Sequence, residues 1–396
     1  MATANSISEV TPETDAARAR LLVFVAPMTA DKLQSVLASL SASFLPDELL
    51  IATPDGITSE SYPALHIVPV PASNTTWTLT ATDFINVHQL AQKHEVQAIL
   101  MLGQEADSLS STSIAELASA VLTADVDVAI PCYDLPPRAG LANSAILYPL
   151  SRALFASRVR FPLAVDLGLS LRMAERLALA AQRFPATNQG ESFLWPISEA
   201  AIAGFTIQEF DVGPRILPQP AQADLNTVLA QVTGSLFADI DIKASFWQRP
   251  RPVPPMRNPV AQPLSTDPPA DTAPMLDAFR LAYINLREIW SLVLPPNSLL
   301  GLKRLYASDP TTFQMPETLW VRIVYDFLLA YRLRTINRGH LLGALTPLYL
   351  AWVASYINIL AAGTDGERSI ETLAAAFEAE KPYLVSRWRW PDRFNP

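Results

Sequence analysis

Up to Ile130 the chain alternates short, unbroken apolar runs with stretches of helical spacing. Leu21–Val25, Leu49–Ala52, His66–Val70, Ala98–Leu102 and Val126–Ile130 read as strands. Runs without polar interruption are those of strands covered on both faces. Between them, Thr29–Ser41 puts Leu33, Val36, Leu37 and Leu40 on one side, and Phe84–Lys93 and Thr112–Leu122 repeat that spacing. The alternation predicts an α/β fold: a mostly parallel sheet with helices on both faces.

Beyond Ile130 the pattern loosens. The segments 144–155, 169–181 and 224–242 read as helices, and 205–210 as a late strand. Arg249–Pro274 is rich in proline and has no apolar period, which predicts a semi-extended connector. The remainder of the chain is helical throughout, over 275–294, 316–335, 340–362 and 368–380. The expected organisation is a frayed polar start (1–18), an α/β domain (19–248), a linker (249–274) and an all-α C-terminal domain (275–396). The apolar stretch His340–Gly363 is long enough to span a bilayer. Pro347, Ser355 and Asn358 within it, and Arg338 and Asp365 around it, favour a buried helix instead, so no transmembrane span is expected.

Composition narrows the classes. With 396 residues, half of them hydrophobic and 17% charged, the chain builds a large core. A net charge of −9 argues against nucleic acid as partner. A single cysteine, Cys132, excludes a disulfide framework, and four histidines leave little for a His-rich metal centre. The first residues lack the apolar core of a signal peptide, so a cytoplasmic location is the expectation. Oligomeric state, homo-oligomer included, stays open.

The candidate chemistry lies after the strand Ala98–Leu102, which stops at Gly103 and is followed by Glu105 and Asp107. Ligands of open α/β sheets collect beyond the carboxyl ends of strands. Two acids there can hold a divalent metal that bridges phosphates, or can simply cap the next helix.

Four stretches carry a resemblance: Glu105-Ala106-Asp107, Leu147–Gly168, Gly204–Arg215, and Leu319–Tyr331 with Arg338–Leu350 and Lys381–Leu384. Together they resemble the retaining nucleotide-sugar glycosyltransferases of GT-A (Rossmann-like) fold that include mannosylglycerate synthase and glucosyl-3-phosphoglycerate synthase. The resemblance implies hexose transfer from a nucleoside diphosphate sugar to a small polar, hydroxy-acid-like acceptor, with Mg²⁺ or Mn²⁺ stabilising the leaving diphosphate. It implies Asp107 and Glu105 as metal ligands, Pro27, Asp55 and Glu105 around the donor, and Asp166 as the catalytic position beside the sugar. Arg138 would supply positive charge near the acceptor, and Arg322 and Tyr325 would cover the acceptor pocket.

The sequence also departs from the family at functional places. Ile216 stands where relatives have a metal-binding histidine, and Phe193 where they have an acid. Leu135 and Ala139 replace an arginine and an aspartate, Ala164-Val165 replaces a Gly-Gly pair, and the 74–83 loop lacks a Gly-Lys-Gly motif. Arg215, as a bidentate phosphate binder, is a candidate to replace the metal's charge at the donor. The alternative implied by so many losses is a catalytically impaired relative that binds a sugar nucleotide or serves as a partner subunit. Arg322 and Asp326, one helical turn apart, also permit a simpler reading as a buried pair.

Overall fold

The computed structural model describes residues 19–54, 56–57, 60–71, 77–123, 126–163, 165–220, 224–252 and 271–391. The α/β half comprises β1 (Leu21–Val25), α1 (Ala30–Ser43), β2 (Leu49–Thr53), β3 (His66–Pro69), α2 (Ala81–His94), β4 (Ala98–Leu102), α3 (Ser111–Leu122) and β5 (Val128–Asp134). It continues through α4 (Tyr148–Phe155), β6 (Leu167–Ser170), α5 (Leu171–Ala181), α6 (Pro196–Ala203) and β7 (Ile207–Pro214).

The seven strands lie in the order β3-β2-β1-β4-β6-β5-β7. All neighbouring pairs are parallel except those of β6, which runs against both β4 and β5. Alternate residues of β1 face opposite layers. Leu22 and Phe24 pack with α2 and α5, while Leu21, Val23 and Val25 pack with α1 and α3. The fold class expected from the apolar pattern is the one observed.

One strand was hidden. The spacing predicts a helix from Leu169, yet Leu167–Ser170 is β6 and the helix starts at Leu171. Gly168 makes the insertion work: a Cβ there would lie 2.7 Å from the Leu117 carbonyl oxygen of α3. Ser170 ends the strand and accepts a hydrogen bond from the Met173 amide, capping α5.

The helical part consists of α7 (Leu225–Ile242), α8 (Ala244–Trp247), α9 (Ala273–Asn285), α10 (Arg287–Ser291), α11 (Pro296–Tyr306), α12 (Glu317–Leu333), α13 (Arg338–Ala361) and α14 (Gly366–Arg389). The single helix predicted over 275–294 is broken between α9 and α10. Helix α11 lies in a stretch where the apolar pattern predicts no element, and Pro296 occupies its first turn. Helix α14 runs well past the expected Glu380.

One apolar core joins α4, α7 and α8 to α9–α14. Three fully buried tryptophans, Trp247, Trp290 and Trp320, each donate the indole N–H to a backbone carbonyl. For Trp320 the acceptor is Ala145, just ahead of α4, at 2.9 Å. Helix α13 is long and apolar enough to cross a membrane, and much of it is buried in this core. Helix α14 is tied to α4 and the loop after it through charges: Arg152 to Glu371 (2.6 Å) and Glu378 (2.9 Å), and Arg160 to Glu367 (2.9 Å).

Candidate active site

The carboxyl ends of β1, β4 and β7 bring most of the sequence candidates together. Pro27 follows Ala26, whose amide donates to the Leu102 carbonyl at the end of β4, so Pro27 stands at the rim of this region. After β4 the chain turns sharply. Glu105 adopts a left-handed conformation (φ +67°), uncommon for a side chain other than glycine, and opens a single 3₁₀ turn over Ala106–Ser108. Asp55 lies outside the described residues.

The acid-x-acid pair is split by this geometry. The Glu105 carboxylate takes an ion pair with Lys32 of α1. Asp107 keeps its carboxylate oxygen Oδ1 buried with no hydrogen-bond partner. No group of three or more His, Cys, Asp or Glu side chains capable of holding a metal occurs among the described residues. Ile216 is 62% exposed and offers no ligand. Mg²⁺ and Mn²⁺ of this kind take one or two protein carboxylates, with water and substrate phosphates completing the shell. With Glu105 paired to Lys32 and Ile216 offering no ligand, the acid-x-acid pair leaves Asp107 as a single carboxylate, short of the centre that the resemblance implies.

Asp166 occupies the centre of the arrangement. It sits just before β6, is fully buried, and is enclosed by protein donors. Oδ1 accepts from the Gly103 amide (2.9 Å) and from Arg215 (3.1 Å). Oδ2 accepts from the Tyr133 hydroxyl (2.9 Å) and from Arg215 Nε (2.9 Å). Burial and the neighbouring Asp166 carboxylate push the Tyr133 phenol well above its ordinary range.

Arg215 follows β7 directly and reaches back across the sheet end. Its fork meets Asp166, and its remaining donors go to the Gln104, Glu105 and Ile216 carbonyls and the Ser108 hydroxyl. Burial opposes its charge, but Asp166 more than offsets this and raises its pKa. The guanidinium expected to clasp a donor phosphate therefore clasps an internal carboxylate. The expected catalytic Asp166 is correspondingly closed to a substrate in this arrangement. Contact between two residues 49 positions apart leaves no local signal in the sequence.

The surrounding space is filled as well. Tyr133, Leu135, Phe161, Val165 and Val212 are buried together, with Ala139 and Leu217 packed on them. At Gly103 a Cβ would come 2.5 Å from the Val165 carbonyl oxygen, so not even a methyl group fits. Leu135 and Ala139, two of the departures from the family pattern, thus contribute to this apolar packing.

The acceptor candidates are scattered. Arg138 is half-buried in the turn that leads to Gly140. Arg322 pairs with Glu380 of α14 at 2.9 Å, and the fully buried Tyr325 donates its hydroxyl to the Phe377 carbonyl at 2.6 Å. Both are engaged by α14 rather than by a pocket. Asp326 pairs with Arg387 (3.1 Å) and accepts from Tyr383, so the simpler Arg322–Asp326 pair is replaced by two separate links to α14.

No protein-family model and no curated protein matches the chain. Among solved structures, it aligns with glucosyl-3-phosphoglycerate synthase from Mycobacterium tuberculosis bound to phosphoglyceric acid. The identity is 15%, with 59% of this chain and 81% of that one covered, at a TM-score of 0.38. The same enzyme with Mn²⁺, uridine diphosphate and glucosyl-3-phosphoglycerate aligns at 16% identity, covering 63% and 88%, with a TM-score of 0.37. With Mn²⁺, UDP-glucose and phosphoglyceric acid the values are 15%, 56%, 79% and 0.36.

Proposed function

We propose that this chain is a nucleotide-sugar glycosyltransferase-type protein of GT-A fold that has lost metal-dependent transfer and acts by binding, as a partner subunit or sugar-nucleotide-binding protein. One observation carries the reading: both oxygens of the fully buried Asp166 are spent on Gly103, Tyr133 and Arg215. A positioning carboxylate must reach substrate within hydrogen-bond distance, and this one has neither a free approach nor space beside it. The motif similarities supply the ancestry, and the packed cleft supplies the loss.

A second reading has one observation in its favour. The unpartnered, buried Asp107 oxygen is a costly thing to leave unsatisfied, and a donor hydroxyl would satisfy it. On that reading the protein still transfers a hexose from a nucleoside diphosphate sugar to a hydroxy-acid-like acceptor.

The two are separated by incubating the protein with UDP-glucose or GDP-mannose, with and without Mn²⁺, in the presence of glycerate or 3-phosphoglycerate. Release of nucleoside diphosphate is followed alongside the melting temperature. The first reading expects no turnover and no metal-dependent stabilisation. A ligand at 100 times its dissociation constant stabilises by about 2.7 kcal/mol, so binding of that strength is readily seen. Metal-dependent turnover would overturn the proposal in favour of the second reading.

A further inference from the structure

A cavity of about 310 Å³ opens between the end of α5, the segment before α6, and α7. It shares no residue with the Asp166–Arg215 cluster, so a ligand bound in it is independent of how that cluster is read. Its size falls at the small end of ligand pockets, roughly 300–1,000 Å³.

Its lining combines two chemistries. Phe193, Trp195 and Tyr331 provide aromatic wall, while Glu199 and Asp239 bring two carboxylates to the same space. Both acids are anchored from behind. Lys243, itself buried, pairs with Glu199 at 2.9 Å and with Asp239, and Arg176 pairs with Glu199 at 2.9 Å. Ser198 donates to Asp239 at 2.7 Å.

Charge selects among ligands. Glu191, Glu199 and Asp239 against Lys243, Arg176 and Arg183 leave the site formally neutral, so no net charge draws in a cation or an anion. The Glu199 and Asp239 carboxylates line the space. Each still has lone pairs beyond those used by its anchors, and these suit hydroxyl donors. Aromatic rings pack against the C–H faces of a polyol ring by burying apolar area.

We infer that this cavity is a binding site for a small, neutral, polyhydroxylated molecule of monosaccharide size, held between the aromatic wall and the Glu199–Asp239 acceptors. The test is saturation-transfer NMR on the full chain with D-glucose, D-mannose and myo-inositol, with D-glycerate and ethanolamine as anionic and cationic counterparts. Saturation transfer to at least one neutral polyol at roughly 10 mM is expected, in the millimolar affinity range. It should disappear in Ala238→Trp, which fills the cavity from α7, while circular dichroism stays unchanged. Gln231→Trp, two helical turns away on the same side, serves the same purpose if Ala238→Trp does not fold. No transfer to any neutral polyol, equal transfer in a folded filled variant, or preference for glycerate or ethanolamine would each overturn the assignment.

Discussion

Two buried charge clusters in this protein have opposite relations to the space around them. At the carboxyl end of the sheet, Asp166 and Arg215 are fully buried, bonded to each other, and ringed by Tyr133, Gly103 and apolar side chains. On the flank, Glu199, Lys243 and Asp239 are equally interlinked, yet the two acids border a cavity. Buried charge alone therefore does not mark a functional site. What distinguishes one is bonding capacity left over together with room to use it.

The strongest blow to the first cluster is Arg215→Ala. It leaves the Asp166 charge buried without its partner, and a loss of about 3–5 kcal/mol is expected in urea denaturation. Replacing both members, as Asp166→Leu with Arg215→Met, should restore most of that loss or exceed wild-type stability, since apolar isosteres of a buried pair often do. If the double variant were instead as unstable as the single one, the cluster would be doing more than filling a cleft. Next in size is Gly103→Ala, whose Cβ would meet the Val165 carbonyl oxygen at 2.5 Å. Overpacking of this kind costs about 1–3 kcal/mol, and a tolerated alanine would show that the cleft is looser than it looks.

The flank cluster is better probed by pH, because its two acids shift in opposite directions. Burial alone would raise Glu199, but Lys243, Arg176 and Arg183 outweigh it and hold the carboxyl below its ordinary range. Its contribution to stability is therefore present above the ordinary carboxylate range and is lost as pH falls through the folded value. Asp239 is raised by burial, with Lys243 only partly opposing. Its contribution is full at low pH and fades as pH rises through the folded value. Urea midpoints measured between roughly pH 3 and 8 should show the acid-side loss flattened by Glu199→Gln and the opposite slope flattened by Asp239→Asn. Parallel effects of both variants would contradict the split. The smallest effect is expected at the rim, where Lys32→Met removes the partly exposed pair with Glu105 for about 0–1 kcal/mol.

Much of the scaffold was legible in the sequence because burial on both faces writes itself as uninterrupted apolar runs. Leu21–Val25 and Ala98–Leu102 appear at the predicted positions for that reason. The run Leu167–Ser170 was not legible, since Leu169 continues the helical spacing of the residues after it and only pairing with β4 and β5 reveals a strand. At the site, Asp166 and Arg215 stand out in the sequence, but their union with Tyr133 depends on three separate strand ends meeting. The flank cavity has no sequence signal, because its acids come from α6 and α7, whose proximity is a property of packing alone.

The link between Arg152 and Arg160 and the glutamates of α14 has a consequence for biosynthesis. The carboxylates that neutralise these deeply placed cations reside at Glu367, Glu371 and Glu378, separated from them by 207 to 226 positions in the sequence. On the ribosome, the segment around α4 must wait with these positive charges unpaired until α14 has emerged. A stalled chain ending before Gly366 should therefore remain open to protease around 148–160, closing only when α14 arrives.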